Sequence, residues 1–262
     1  MPTGFGRNEA RAADPRGSAT RLAFEHRSVW TNKLVLREVY RDVYRRIENL
    51  LAPIAGPTIE LGAGPGSSQA YLRNVLCIDV VIVPWLDVVG DACSLPLADA
   101  SAANLFMVDV LHHLAYPQRF FAEAVRVLKP GGRLVIVDMW PSLASYPLLR
   151  WAHPEPLSLS VRPLDVAADQ PLFDPADPWS SDQGIARAIF WKQKGRFEQL
   201  FPALRVIRRS QFSTLLWPLS GGFDHKSRVP AFAAPWLQRF DRLLEPFARW
   251  LGFRSLIVLE RC

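Results

Sequence analysis

Residues 58–68 read TIELGAGPGSS, and this stretch decides the fold. "PTIELGAG" is a short apolar run bounded by Pro57 and Gly62, the pattern of a buried strand, and it carries a single acid, Glu60. Gly62, Gly64 and Gly66 follow at alternate positions, and "SSQAYLRN" then opens with serines suited to capping a short helix. A strand, a glycine loop and a helix in that order make a ligand-binding turn at the carboxyl edge of a doubly wound α/β sheet. Glycine there lets the backbone approach a ligand without a Cβ in the way. The loop is G-x-G-x-G, with Ser67 where a dinucleotide fingerprint places its third glycine, which disfavours a pyrophosphate. The nearest charge is the acid Glu60 rather than a Lys or Arg, so the predicted ligand is nucleotide-like and cationic.

Upstream, Val29, Trp30, Leu34, Val39, Tyr40, Val43, Tyr44, Ile47 and Leu51 recur at helical spacing and predict one or two amphipathic helices. Downstream, "VLCIDVV", "LDVVGDA" and "AANLFMVDV" read as strands, and "YPQRFFAEAVRVL" as a helix stopped by "KPGG" at 129–132. "RLVIVDMW" is a continuous apolar strand. This alternation predicts a mostly parallel sheet covered on both faces. Residues 141–180 are proline-rich and aperiodic, in the manner of a functional lid. A helix over "DQGIARAIFWKQKGRFEQLF" and a strand "LRVIRRSQF" follow. "AAPWLQRFDRLLEPFARWLGF" then carries Trp236, Leu237, Phe240, Leu243, Leu244, Phe247 and Leu251 as one stripe, kinked at Pro246. Packing on the core or capping the cleft is the reading preferred for that stripe; Arg239, Arg242 and Arg249 leave membrane-surface binding open. "RSLIVLERC" closes the chain as a strand.

Composition sets bounds on function. With 262 residues, 49% of them apolar, the chain can bury a large core as one domain with insertions. Net charge is +6, but the arginines are spread along the chain, and nucleic acid is not the expected partner. Cys77, Cys93 and Cys262 are too few and scattered for a disulfide framework or a zinc site; no metal is expected, and a reducing cytoplasm fits. The first residues lack an apolar signal core, and "VLCIDVVIVPWLDVVG" is interrupted by Asp79, Pro84 and Asp87, which a membrane-spanning helix avoids.

"IELGAGPG", with "CIDV", "GDACSLPLADAS", "VDVLHHL" and "RVLKPGGRLVIVD" after it in order, resembles the class I S-adenosylmethionine-dependent methyltransferases of the small-molecule type, which share the LHHL and LKPGG signatures. The resemblance covers roughly residues 57–140 and implies a Rossmann-like doubly wound sheet with a closing antiparallel strand. It implies S-adenosyl-L-methionine as cofactor and a small-molecule acceptor, saccharide- or lipid-linked. The cofactor site it implies is Glu60, Leu61, Gly62, Ala63, Gly64, Gly66, Asp79, Asp91, Ala92 and Asp109. In it Asp79 accepts from the ribose hydroxyls, Asp91 from the adenine amino group, and Asp109 lies beside the methionine portion.

Only twelve positions separate Asp79 from Asp91, too few for a crossover helix, so that helix is shortened or absent. Asp87 then rivals Asp79 for the ribose, and Pro84, Trp85 and Leu86 are expected to wall the adenine. His112, His113 and His153 are the candidate bases, needed only if the acceptor must lose a proton. Trp140, Trp151, Phe173, Trp179 and Trp217 suit an apolar acceptor or lid packing. The expected organisation is a disordered lead (1–22), a helical cap (23–56), the cofactor-binding core (57–140), a lid (141–181) and a C-terminal helix and antiparallel hairpin with a helical insertion (182–262). Peripheral membrane contact through 233–253 stays open, as does the oligomeric state. Two other classes remain: a non-catalytic S-adenosylmethionine-binding protein, and a nicotinamide-dependent oxidoreductase, the latter disfavoured by Ser67.

Overall fold

The computed structural model describes residues 15–177 and 180–262. Its order is α1 (Pro15–Asn32), α2 (Leu34–Glu48), β1 (Thr58–Leu61), β2 (Val75–Asp79), β3 (Val88–Val89), β4 (Ala102–Val108), α3 (Pro117–Val127), β5 (Leu128–Met139) and α4 (Ser145–Trp151). Then come α5 (Ile185–Arg187), α6 (Lys194–Leu200), β6 (Leu204–Phe212), α7 (Leu216–Ser220), α8 (Ala234–Leu244), α9 (Ala248–Leu251) and β7 (Arg254–Arg261). The strands form one seven-stranded sheet in the order β3-β2-β1-β4-β5-β7-β6. Pairings from β3 across to β5 are parallel, while β7 runs antiparallel to both β5 and β6. The doubly wound sheet with a closing antiparallel strand is therefore present.

Strand alternation divides the core into two layers. Leu134 and Ile136 of β5 face α3 and α6 with Phe120, Phe121 and Phe197, whereas Val135 and Val137 face α2 with Leu36, Tyr40, Tyr44 and Ile47. In β1 the same rule sends Ile59 and Leu61 to the first layer and Glu60 to the α2 side, under Tyr44. The "KPGG" stretch stops α3 and lies inside β5 as an irregularity, with a register shift against β4 and Gly131 at φ +76°. "SSQA" makes a single 3-10 turn, Ser67–Ala70. The helix expected over 182–201 breaks into α5, a π turn (Ala188–Lys192) and α6.

No helix joins β2 to β3 among the described residues. Val81 and Val83 of that connection are instead covered by Ala19 and Ala23 of α1, burial worth on the order of 1.5–3 kcal/mol per valine. Residues 15–22, expected to belong to a disordered lead, are thus helical; 1–14 lie outside the described residues. Trp85 does not wall the cleft. Its Nε1 donates to the Gly64 carbonyl at 2.8 Å, and Arg27 of α1 stacks on its ring while donating to the Pro65 carbonyl at 2.7 Å. The short connection and the N-terminal helix together brace the glycine loop from behind.

Candidate functional site

The carboxyl ends of β1 to β5 and the start of β7 open into one cleft of about 1110 Å³. Gly62, Gly64, Asp79, Asp91, Ala92, Asp109, His112, His113 and His153 all line it. Gly62 has φ +69° and no room for a side chain: a Cβ would lie 2.3 Å from Val110. Gly64, at φ +43°, has its nearest such neighbour at 4.0 Å, so a Cβ there would meet no clash within the protein. The Gly64 amide donates to Asp79 Oδ2 at 2.7 Å, tying the loop to the end of β2. Burial raises the Asp79 carboxyl above its ordinary range, against the pull of these amide bonds. Asp87 instead accepts from the Cys77 amide at 2.7 Å and does not line the cleft.

Glu60, Leu61, Ala63 and Gly66, counted in the cofactor site from the sequence, do not line the cleft. Leu61 and Ala63 are buried in the core, and Gly66 packs against Trp85 and Arg27. The Glu60 carboxylate lies below the loop, bonded by Tyr44 at 3.1 Å and by Ser68. Burial pushes its pKa up to about 7. Alternation along β1 is the reason: Glu60 supports the loop from the α2 side and does not face a ligand in the cleft.

Across the cleft the structure assembles a cluster that the sequence shows only in pieces. His112 is 1% exposed; its Nδ1 lies 2.7 Å from Asp138 Oδ1 and its Nε2 3.1 Å from Glu155 Oε2. His113 Nε2 is 3.5 Å from Glu155 Oε1. The two carboxylates outweigh burial and raise the His112 pKa well above its ordinary value, while His112 and His113 hold Glu155 well below its own. Gln183 Nε2 donates to His153 Nδ1 at 2.7 Å, and desolvation lowers the His153 pKa. Ligand atoms of His112, His113 and Glu155 lie within 4.8 Å of one another, a donor set of the type divalent ions take, although here they bond to each other.

Asp138, Glu155 and Arg254 are the residues that sequence reasoning missed. Asp138 had a signal, an acid inside the apolar run "LVIVDMW". Arg254 is fully buried, donates to Asp109 Oδ1 at 2.7 Å and lies over the rings of Tyr40 and Trp217. Asp109 has φ +57°, a strained conformation for a residue with a Cβ, and this ion pair helps to hold it there. Of the five aromatic residues assigned to an acceptor or lid, Trp217 lines this cleft. Trp140 lines a second one, Phe173 packs on the core, Trp151 is exposed, and Trp179 lies outside the described residues.

Residues 59–136, which run from within β1 into β5, match the sequence profile of the family described as "Methyltransferase domain". This stretch of the chain resembles that domain, and the sheet around it has the class I methyltransferase fold. Phthiotriol/phenolphthiotriol dimycocerosates methyltransferase 1 of Mycobacterium ulcerans is 46% identical over 119 residues, 38% of this chain and 44% of that protein. The Mycobacterium tuberculosis protein of like name is 43% identical over 102 residues, 32% of this chain and 38% of its own length. The chain therefore spans less than half the length of the curated relatives it matches. A SAM-dependent methyltransferase from Archaeoglobus fulgidus has a similar fold, with TM-score 0.52 at 13% identity over 86% of this chain and 94% of that one. So does a possible histamine N-methyltransferase from Thermotoga maritima, with TM-score 0.52 at 16% identity over 93% and 97%. At such identity these two establish the fold of the methyltransferase domain and nothing finer.

Proposed function

We propose that the chain transfers a methyl group from S-adenosylmethionine to a hydroxyl of a small, lipid-linked acceptor. The observation that carries this reading is the His112–Asp138 pair set across one cleft from the glycine loop. The residues fit the cofactor: a Cβ direction without a clash at Gly64 lets backbone meet ligand, and Asp79, Asp91 and Asp109 give the wall acceptors and negative charge. In that reading Gly62 and Gly64 flank the amino-acid and ribose portions, Asp79 takes the ribose hydroxyls, Asp91 the adenine amino group, and Asp109, held by Arg254, the methionine end. When bound, the cofactor supplies a methyl group on a sulfonium, a good leaving group.

The chain's own part is alignment and a proton. Asp138 accepts the Nδ1 proton of His112, which orients Nε2 toward Glu155 and the cleft. A neutral Nε2 can take the proton of an acceptor hydroxyl. With Glu155 seated against it, His112 is held as imidazolium, so an acceptor must displace Glu155 for the base to act. The mycobacterial relatives are named for phthiotriol and phenolphthiotriol dimycocerosates, which supports both the hydroxyl and the lipid link.

Glu155 and His153 belong to residues 141–181, read as a lid. Hydrogen exchange is expected to fall there on adding S-adenosylhomocysteine and acceptor; unchanged exchange in this segment, with protection elsewhere, would remove the gating role. The activity itself is tested by incubating the chain with methyl-labelled cofactor and a lipid extract. Label in a lipid ether supports the reading, and cofactor binding without any labelled product leaves a binding protein.

The ribose assignment gives a separate expectation. Asp79→Ala should weaken S-adenosylhomocysteine binding by on the order of 1.5–3 kcal/mol, the value of hydrogen bonds to a charged group. Asp87→Ala, whose carboxylate serves the β2 backbone, should leave affinity near wild type. The opposite order in calorimetry would move the ribose to Asp87.

A further inference from the structure

The stripe on α8 and α9 is split: Leu237 packs against the core and Leu244 is half-buried, while the rest faces outward. Trp236, Phe240, Leu243, Phe247 and Trp250 recur at intervals of four, three, four and three, so they share one helical face, and that face is outward. Trp236 is 68% exposed and Leu243 71%. The inward face is set by Ala234, Asp241 and Ala248, seven residues apart. Asp241 is buried and accepts from the Leu215 amide at 2.6 Å, the Thr214 amide at 3.0 Å and the Leu216 amide at 3.1 Å. Four such helix-start contacts, counting the Thr214 hydroxyl, fix the helix with its carboxylate inward and its aromatics in solvent.

The charge around this face has one sign. Its two acids are engaged elsewhere, Asp241 inward and Glu245 with Arg46; Arg242 is paired with Asp42 at 2.8 Å, and Arg239 and Arg249 stay at the rim. Beside it lies a second cleft of about 920 Å³ containing Arg187, Lys192, Arg209 and Arg249 with Trp140 and Trp191; among the described residues no carboxylate lines it. Leu143 and Trp250 belong both to this cleft and to the exposed apolar surface. The Ala144 amide, bonded to the Trp250 carbonyl at 3.0 Å, joins the two.

We infer that this face docks on an anionic phospholipid bilayer, with the aromatic stripe in the interface and the second cleft receiving a phosphate-bearing head group. Aromatic and leucine side chains on one helical face, rimmed by arginine, are the surface an interfacial helix presents. Continuity with the cationic cleft selects a lipid over a soluble anion, because a free phosphate has no use for Trp236 or Leu243. Among the described residues no helix is long and apolar enough to cross a membrane, so the contact is peripheral. Leu148 of α4 lines the first cleft, and Ala144, just before α4, is the residue bonded to Trp250, so α4 links that cleft to this face. The inference does not depend on the methyl-transfer reading.

The experiment is sedimentation of the full chain with phosphatidylglycerol/phosphatidylcholine vesicles and with phosphatidylcholine alone, beside analytical ultracentrifugation without lipid. Wild type is expected to partition at least tenfold more strongly onto the anionic vesicles, with the preference shrinking in high salt. Trp236→Ser/Phe240→Ser/Leu243→Ser should lose tenfold or more on either vesicle while keeping its melting temperature. Lys192→Gln/Arg249→Gln should lose the anionic preference and retain the weaker neutral binding. Three results would each overturn the inference. One is no vesicle binding, and another is a triple variant that binds as wild type does. The third is a dimer that the triple variant dissolves without any lipid effect, which would assign the face to a second copy. Inorganic phosphate displacing nothing from the vesicles supports a lipid-held head group; tight phosphate binding that releases the protein would make the second cleft a site for a soluble anion.

Discussion

Gly64→Val is expected to abolish S-adenosylhomocysteine binding, raising Kd at least a hundredfold, while leaving a folded protein. Both backbone groups of Gly64 are engaged, the amide by Asp79 and the carbonyl by Trp85, so the loop has little freedom to carry a new side chain aside. A Cβ there would meet no clash within the protein. A valine there meets the ligand instead of the fold, and the left-handed backbone adds about 1–2 kcal/mol of strain. In a chain of this size that strain lowers Tm by roughly 2–8 °C. Gly66→Val is the contrast. Its Cβ would lie 2.7 Å from Trp85 and 3.0 Å from Arg27, so it should unseat the brace and reduce stability before it touches a ligand. Calorimetry and thermal melts on the two variants separate these outcomes; unchanged affinity in Gly64→Val would remove the loop from the cofactor site.

What the sequence reveals of this architecture follows the range of the interactions. β1 to β5 are legible because strand burial is written locally, in runs such as "LVIVDMW" and "AANLFMV", and the glycine loop because Gly62 has no steric alternative. The absent crossover is legible as a distance along the chain. Its replacement is not: α1 has little amphipathic pattern of its own, and it is ordered by Val81, Val83 and Trp85 about sixty residues away. A carboxylate at a strand end reads alike in sequence whether it faces ligand or supports the loop, and only the bonds from Tyr44 and Ser68 show Glu60 beneath the loop. Glu155 and Arg254 were invisible for the same reason. Each gains its meaning from a partner in another segment, 43 residues away for Glu155 with His112 and 145 for Arg254 with Asp109. The stripe on α8 was legible as a stripe, but its direction is set by the buried Asp241, which sequence patterning counts merely as a polar residue.

His112→Ala is expected to lower kcat by about a hundredfold to ten-thousandfold with cofactor affinity nearly unchanged, and Asp138→Asn to give a loss of the same kind. Loss of packing alone would lower Tm and leave turnover per folded molecule intact, so both are measured. The pH dependence then distinguishes a base from a structural histidine. Because His112 is raised above its ordinary value of 6.5, its stabilising contribution is full below that pH and is lost as pH rises through the raised value. Glu155, lowered from 4.5, contributes above that value and loses its contribution as pH falls through the lowered one. The imidazolium–carboxylate pair therefore favours the closed cluster at neutral pH, whereas proton transfer requires the neutral imidazole. kcat/KM should rise with pH along a limb lying above 6.5. Glu155→Gln removes one of the two charges that raise His112, so that limb should move to lower pH while the stability gained near neutrality shrinks. A limb that stays in place in Glu155→Gln, with activity retained in His112→Ala, would leave the cluster a structural clasp between lid and sheet, and methyl transfer would then rest on proximity in the cleft.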